Sequence, residues 1–299
     1  MNTIPSNADT LLRFLLPEAG VRGVIVRLED TWQHIRGRSD YPPAAATLLG
    51  EACAAAALFT GHTKIDGRLS VQLRGQAGLR TLFAECTAAG TLRGIAQLTE
   101  GSDAPADLRE LGPEAVLAIT IENPGLDPRE PQRYQSLVAL QADRLATAFE
   151  DYFRQSEQLP TRLLLATDAK AATGLLLQKL PGDEGDTDGW TRANALFDTL
   201  GTSELLATAP ATILHRLFHE EPVELMAEKP LSFACSCSRQ RVADMLFSLG
   251  EEEATAAVQG EAAEVRCEFC GQDYLFTADQ IAELFTRPPV DLQPPARLQ

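Results

Sequence analysis

Two short stretches near the end of the chain decide how its last part folds: Cys235-Ser236-Cys237 and, 29 residues later, Cys267-Glu268-Phe269-Cys270-Gly271. In the Cys-x-x-Cys half, a tight turn aims both sulfurs at one point, and Gly271 supplies the permissive backbone of that turn. In the Cys-x-Cys half, an extended backbone places residues i and i+2 on the same face. The spacing therefore predicts one tetrahedral zinc ion held by Cys235, Cys237, Cys267 and Cys270, with no open coordination position and no catalytic water.

The segment around these cysteines is too small and too charged to support a strong core. Residues 231–299 carry a net charge of −6 and the preceding residues 182–230 a net charge of −7, out of −16 for the 299-residue chain. A structural zinc ion contributes about 10–16 kcal/mol in small peptides, whereas a whole domain is stable by about 5–15 kcal/mol. We therefore expect loss of the metal to unfold this segment.

The alternative interpretation of the same spacing is a purely structural zinc ion, which cross-links the module without acting as a switch. A switch is favoured because each cysteine has a close neighbour in sequence with which oxidation could pair it, which would remove all four ligands together. Cys53 lies in an Ala-rich helical pattern and Cys86 at the end of an apolar strand, so both are expected to be buried and inert. His215 and His219 have helical spacing and are not expected to be ligands.

Residues 1–181 have the pattern of an α+β domain with an antiparallel or mixed sheet, because several short apolar runs follow one another directly. Helices are predicted over Pro42–Phe59 and over Pro131–Ser156. The predicted strands are Val21–Leu28, Leu69–Arg74, Thr81–Cys86, Leu92–Leu98, Val116–Glu122 and Arg162–Ala166.

Two further segments complete the predicted organisation. An acidic, Gly-rich joint at residues 182–189, including Asp183 and Glu184, opens a helical linker over residues 182–230. The apolar residues of this linker should cover a face of the N-terminal sheet: Leu196, Phe197, Ile213, Leu214, Leu217 and Phe218. Residues 231–299 then form the small zinc module, with a last helix over Ile281–Phe285 and a proline-rich tail containing Pro288, Pro289, Pro294 and Pro295.

Composition excludes several classes of function. A net charge of −16 argues against a nucleic-acid or anionic-membrane binder. The longest uncharged apolar segment, between Glu51 and Lys64, is shorter than the roughly 20 residues that a membrane helix needs, so no span is predicted. The first 20 residues lack the basic and apolar regions of a secretory signal, which favours a cytosolic protein.

Two rival functions remain open at this level. A nucleic-acid-binding zinc ribbon would need a basic face, which the acidic cysteine module lacks. A thiol–disulfide oxidoreductase would need one exposed, low-pKa thiolate at a helix N-terminus, whereas Cys267-Glu268-Phe269-Cys270 precedes Gly-Gln-Asp-Tyr and has a second cysteine pair beside it in the sequence. A phosphate-binding Gly-x-x-x-x-Gly-Lys-Ser/Thr motif is absent from the sequence, and we do not expect an enzyme.

The sequence resembles the heat shock protein 33 family of bacterial chaperonins over nearly its whole length. The Cys-x-Cys and Cys-x-x-Cys pairs with a gap near thirty residues are the most specific part of the likeness. The other matching blocks are Tyr41-Pro42, Leu48–Ala52, Ile65–Leu73, Tyr152, Ser156–Thr161, Gly174–Pro181, Arg216–Glu221, Phe233–Ser238, Leu249–Glu253 and Tyr274.

This resemblance implies an ATP-independent holdase that is zinc-bound and inactive when reduced. It implies that oxidants such as hypochlorite form the disulfides Cys235–Cys237 and Cys267–Cys270 and release the zinc. It further implies that the C-terminal module and linker then unfold, that the active form becomes a homodimer, and that clients are held until ATP-dependent chaperones refold them.

Overall fold

The computed structural model describes residues 9–125, 130–138, 140–182 and 186–286. The chain divides into two compact units: Met1–Pro124 with Gln132–Ala234, and Gly125–Pro131 with Cys235–Gln299. We call them the N-terminal and C-terminal units. The boundaries predicted from sequence, after residues 181 and 230, stay predictions.

The N-terminal unit contains two sheets, so the predicted α+β class with antiparallel and mixed pairing is confirmed. The first sheet has the order β10-β1-β2-β9-β8 with antiparallel neighbours throughout. Its strands are β1 (Thr10–Leu16), β2 (Val21–Leu28), β8 (Thr161–Thr167), β9 (Ala172–Lys179) and β10 (Glu224–Pro230).

The second sheet has the order β11-β5-β4-β3-β6-β7. It is mixed because β11 pairs in parallel with β5, whereas the other pairs are antiparallel. Its strands are β3 (Arg68–Arg74), β4 (Leu79–Thr87), β5 (Thr91–Leu98), β6 (Val116–Asn123), β7 (Gln132–Val138) and β11 (Ser232–Phe233).

Helix α2 (Pro43–His62) packs against strands of both sheets and forms the centre of the core. Its Ala54–Ala57 run is fully buried, so the helix is apolar on all sides rather than amphipathic. The sequence underestimated its length: the helix is 20 residues long and is apolar enough to cross a membrane by length and composition. However, 83% of its most apolar window is buried inside the protein, as in the core helix of a folded domain. A short helix α1 (Asp30–Arg36) precedes it.

The prediction of one helix over Pro131–Ser156 is wrong in its first half, because the helix begins only at Leu145. Residues Gln132–Val138 form β7 at the edge of the second sheet, helix α3 covers Leu145–Tyr152, and a π-helical turn follows over Phe153–Glu157. Leu137 is 69% exposed on β7, whereas Val138 beside it is buried, which is the alternation of a strand. Pairing with β6 thus outweighs the helical spacing of the leucines.

The helices of the predicted linker cover one face of the first sheet, as expected. They are α4 (Gly189–Phe197), α5 (Thr202–Ala207) and α6 (Pro210–Phe218). Phe218 is fully buried, and its ring centroid lies 6.0 Å from that of Phe14 on β1. The segment ends differently from the prediction, because residues Glu224–Pro230 form β10 and pair with β1. Asp183 and Glu184 lie outside the described residues.

The C-terminal unit is a two-stranded sheet with three helices around a small core. Its elements are α7 (Arg239–Leu249), α8 (Glu251–Ala256), β12 (Ala262–Arg266), β13 (Asp273–Thr277) and α9 (Ala278–Thr286). The buried apolar residues are Val242, Ala243, Leu246, Ala254, Ala263, Phe276 and Ile281. The predicted helix at Ile281–Phe285 lies within α9, while the four tail prolines fall outside the described residues.

Candidate metal centre

The local structure places the two cysteine pairs at defined ends of elements. Cys235 and Cys237 lie just before α7, whose first turn is capped by the Ser238 hydroxyl, which accepts a hydrogen bond of 3.2 Å from the backbone N–H of Arg241. The Arg241 guanidinium donates a hydrogen bond of 2.8 Å to the Ser236 carbonyl, the middle residue of the Cys-x-Cys pair. Both contacts fix the backbone that carries the first two sulfurs.

Cys267 and Cys270 lie in the turn that joins β12 to β13. The Gly271 N–H donates to the Cys267 carbonyl at 2.7 Å, and the Cys267 N–H donates to the Gln272 carbonyl at 2.9 Å. Gly271 has a φ of +70°, a conformation that a side chain disfavours. The sequence prediction of a tight Cys-x-x-Cys turn that requires this glycine agrees with the geometry.

The structure brings the four sulfurs together although 29 residues separate the pairs in sequence. The Cys235 and Cys267 sulfurs are 3.6 Å apart, those of Cys237 and Cys270 are 3.2 Å apart, and all four lie within 4.8 Å of one another. Four sulfurs around one tetrahedral zinc ion at 2.3 Å would be about 3.8 Å apart. The donor set and its spacing therefore fit a closed, four-coordinate metal site.

The electrostatics of the metal-free thiols differ across the site. Burial raises the pKa of Cys235 above its ordinary value and that of Cys270 to about 12. Burial also acts to raise the pKa of Cys237, but hydrogen bonds from Tyr274 and from the other thiols outweigh it and hold that pKa below its ordinary value. A bound divalent cation favours all four thiolates, because a coordinating thiol is deprotonated outright.

Tyr274 on β13 touches the site directly. Its hydroxyl donates a hydrogen bond of 3.1 Å to the Cys237 sulfur, and this bond raises the pKa of the Tyr274 phenol to about 12. Sequence reasoning gave no role to Tyr274 or to Arg241. The strand pattern of residues 273–277 could have placed Tyr274 close to the Cys-x-x-Cys turn, but its contact with the other cysteine pair is a tertiary feature.

The remaining candidate residues lie outside the four-sulfur group. Cys53 and Cys86 are fully buried in the N-terminal unit, where burial raises the pKa of Cys53 far above its ordinary value and that of Cys86 to about 12. His215 and His219 are exposed on α6 and at its end, also in the N-terminal unit. Among the described residues, the group of metal-capable side chains that converges is the four cysteines.

Comparison with known proteins relates this fold and site to one family. The family described as "Hsp33 protein" matches residues 9–277. A "33 kDa chaperonin" of Pseudomonas paraeruginosa is 43% identical over 288 residues, covering 94% of this chain and 95% of the relative. One of the same name from Ectopseudomonas mendocina is 45% identical over 285 residues, covering 93% and 95%.

The fold is similar to that of a solved relative. The crystal structure of a 33 kDa chaperonin, or heat shock protein 33 homolog, from Thermotoga maritima superposes with a TM-score of 0.75 at 23% sequence identity. The match covers 93% of this chain and 97% of that one. Because the family match spans residues 9–277 and the Pseudomonas paraeruginosa relative is 43% identical over 94% of the chain, this chain belongs to the Hsp33 protein family, a family of chaperones.

Proposed function

We propose that this chaperone is an ATP-independent holdase whose activity is switched by the redox state of the four-cysteine centre. The observation that carries the proposal is the convergence of Cys235, Cys237, Cys267 and Cys270, all with sulfurs within 4.8 Å and all partly accessible. Bound zinc supplies a cross-link between the two cysteine pairs, and with it much of the folding free energy of the C-terminal unit. In this reduced state the protein is inactive.

Oxidation removes the ligands by forming the disulfides Cys235–Cys237 and Cys267–Cys270. Each disulfide forms when two thiolates give two electrons to one oxidant molecule, for example hypochlorous acid, which is reduced to chloride and hydroxide. The pairing is supported by the short sequence separation within each pair. Cysteines joined in this way no longer offer thiolates, so the C-terminal unit loses its metal.

Unfolding follows from how little else holds this unit together. Among the described residues, its core consists of the seven buried apolar side chains named above. We propose that residues 231–299 act as the redox-switch zinc domain, that residues 182–230 act as a linker, and that residues 1–181 form the stable core domain. Once the linker helices leave the first sheet, the apolar face that they cover becomes available to unfolding client proteins.

The proposal extends to the partners and location of the active protein. The oxidised chain forms a homodimer and passes its clients to ATP-dependent chaperones, in the cytoplasm of a bacterium. It binds neither nucleic acid nor membranes, which the charge of −16 supports because both are anionic.

The test compares three states of the full-length protein: reduced with zinc, oxidised with hypochlorite, and oxidised then re-reduced with zinc. Oxidation should release one zinc ion per chain, lower the circular dichroism signal, and only then suppress light scattering from a client unfolding on heating. Equal suppression by the reduced, zinc-bound protein would refute the switch and leave a zinc-stapled binding protein. Salt-sensitive binding of DNA or RNA would favour the zinc-ribbon alternative.

A further inference from the structure

We infer that the Tyr274 hydroxyl sets how fast oxidants attack the metal centre, by protecting the Cys237 sulfur through a hydrogen bond. The inference rests on the proposed redox function and deepens it, because it assigns the oxidant sensitivity of the site to a residue that is not a ligand. Tyr274 thus acts as a positioning residue.

The geometry places this contact between the two halves of the site. Tyr274 belongs to β13, the strand that follows the Cys267–Cys270 turn, and its backbone pairs with Val265 on β12. Its hydroxyl nevertheless bonds, at 3.1 Å, to a cysteine of the other pair, Cys237. The ring packs against the small apolar core of the unit, which fixes the position of the hydroxyl.

A hydrogen bond to a metal-bound thiolate draws electron density away from the sulfur. The same electron pair on sulfur is what an oxidant must engage. With hypochlorous acid, the Cys237 thiolate attacks chlorine, the S–Cl bond forms as the O–Cl bond breaks, and hydroxide leaves. The Cys235 thiolate then attacks the Cys237 sulfur, the disulfide bond forms and chloride leaves. Tyr274 opposes the first of these steps because the hydrogen bond stabilises the thiolate before attack.

The other donors near the cysteines reach other atoms: the backbone N–H groups of Cys237 and Gln272 donate to the sulfurs of Cys235 and Cys270. The Arg241 guanidinium donates to the Ser236 carbonyl, not to a sulfur. The Tyr274 hydroxyl donates a side-chain hydrogen bond to the Cys237 sulfur, the atom that the oxidant attacks first in this scheme. Its removal should therefore have a distinct kinetic effect.

The experiment uses the full-length, zinc-loaded protein and the variant Tyr274→Phe, which keeps the ring and its packing. Zinc release is followed with a chromophoric zinc indicator while hypochlorous acid is varied in excess, and again with a competing chelator and no oxidant. The matched control is Tyr134→Phe, a 57%-exposed tyrosine on β7 of the N-terminal unit. Circular dichroism of each zinc-loaded variant checks that the fold is retained.

With hypochlorous acid, Tyr274→Phe should release zinc about 10-fold faster than wild type. This factor is the lower end of the roughly 10- to 100-fold effects seen when a metal ligand loses its hydrogen-bond partner. The ratio of variant to wild-type rates should be larger with oxidant than with chelator alone, because a merely structural role would change both ratios equally. The inference would be overturned if the ratio of variant to wild-type zinc-release rates were the same with oxidant and with chelator. It would also be overturned if the variant released zinc at the wild-type rate with oxidant, or failed to bind zinc.

These outcomes are separable from a failure of the proposed function. If oxidised wild-type protein does not hold clients, the redox switch fails, yet the comparison of zinc-release rates still stands. If wild-type protein switches as proposed and Tyr274→Phe releases zinc at the wild-type rate, only the role of Tyr274 is wrong.

Discussion

Truncation of Phe218 should loosen the helices over the first sheet without touching the cysteines. Phe218 ends α6, is fully buried, and packs on Phe14 with 6.0 Å between ring centroids. If the covered sheet face is the client-binding surface, Phe218→Ala should expose it in the reduced, zinc-bound protein. The variant would then act as a holdase without oxidation.

The magnitude follows from the size of the cavity that the substitution leaves. Replacing a buried phenylalanine by alanine costs about 3–5 kcal/mol of stability. If α6 detaches as a local unit, this cost raises the population of the detached state by about 100-fold to several thousand-fold, because each 1.4 kcal/mol is a factor of ten. Such a change is large enough to measure by exchange of backbone amide hydrogens.

The assay pairs native-state hydrogen exchange of α6 with light scattering from a heat-unfolded client, both under reducing conditions with zinc present. His215→Ala is the matched control, because His215 lies on the same helix but is exposed. Faster exchange confined to α4–α6, together with suppressed scattering, is the expected result. Faster exchange without any suppression would refute the idea that these helices cover the client-binding face.

Three further predictions test other parts of the structure. Burial raises the pKa of Glu51 on α2 to about 7, so this group stabilises the fold below pH 4.5 and that contribution is lost as pH rises through 7. In urea titrations, Glu51→Gln should therefore raise the free energy of unfolding relative to wild type, and this gain should be larger at pH 8 than at pH 5 by up to about 3 kcal/mol. A gain of the same size at both pH values would contradict this. In reduced, zinc-free protein, a thiol reagent should modify four cysteines rapidly and Cys53 and Cys86 only after denaturation, because these two thiols are fully buried in the N-terminal unit and the reagent cannot reach them; six rapid reactions would show the assignment to be wrong. Removal of the metal by a chelator should abolish helix signals from α7 and α9 in NMR spectra while the thermal transition of the N-terminal unit persists, and persistence of α7 without metal would disprove the metal's role in folding.

The sequence was informative where local spacing and chemistry coincide. The two cysteine pairs and Gly271 predicted a turn and a four-sulfur site, and the structure shows both. The apolar spacing of Ile213, Leu214, Leu217 and Phe218 predicted a helix with a covered face, which α6 has. The turn and the helix each depend on residues within one or two turns of each other, and the four-sulfur site combines two such local patterns.

The six predicted strands correspond to β2, β3, β4, β5, β6 and β8, whereas the edge strands β7 and β10 were not predicted. Residues 132–138 were included in a predicted helix because Leu137, Leu140 and Leu145 have helical spacing, yet they form β7 by pairing with β6 at the edge of the second sheet. The same applies to Glu224–Pro230, a mostly exposed and polar segment that becomes a strand only through its pairing with β1. Strand formation in such segments is decided by the neighbour and not by intrinsic preference.

At the metal centre, too, some features can be predicted from sequence and others only from the tertiary structure. Sequence alone predicted the four candidate ligands, because cysteine type and spacing define a donor set suited to zinc. Only the tertiary structure decided that the Tyr274 hydroxyl reaches Cys237. That contact arises when β13 and α7 pack on a common core, and no local pattern encodes a distance between residues 37 positions apart.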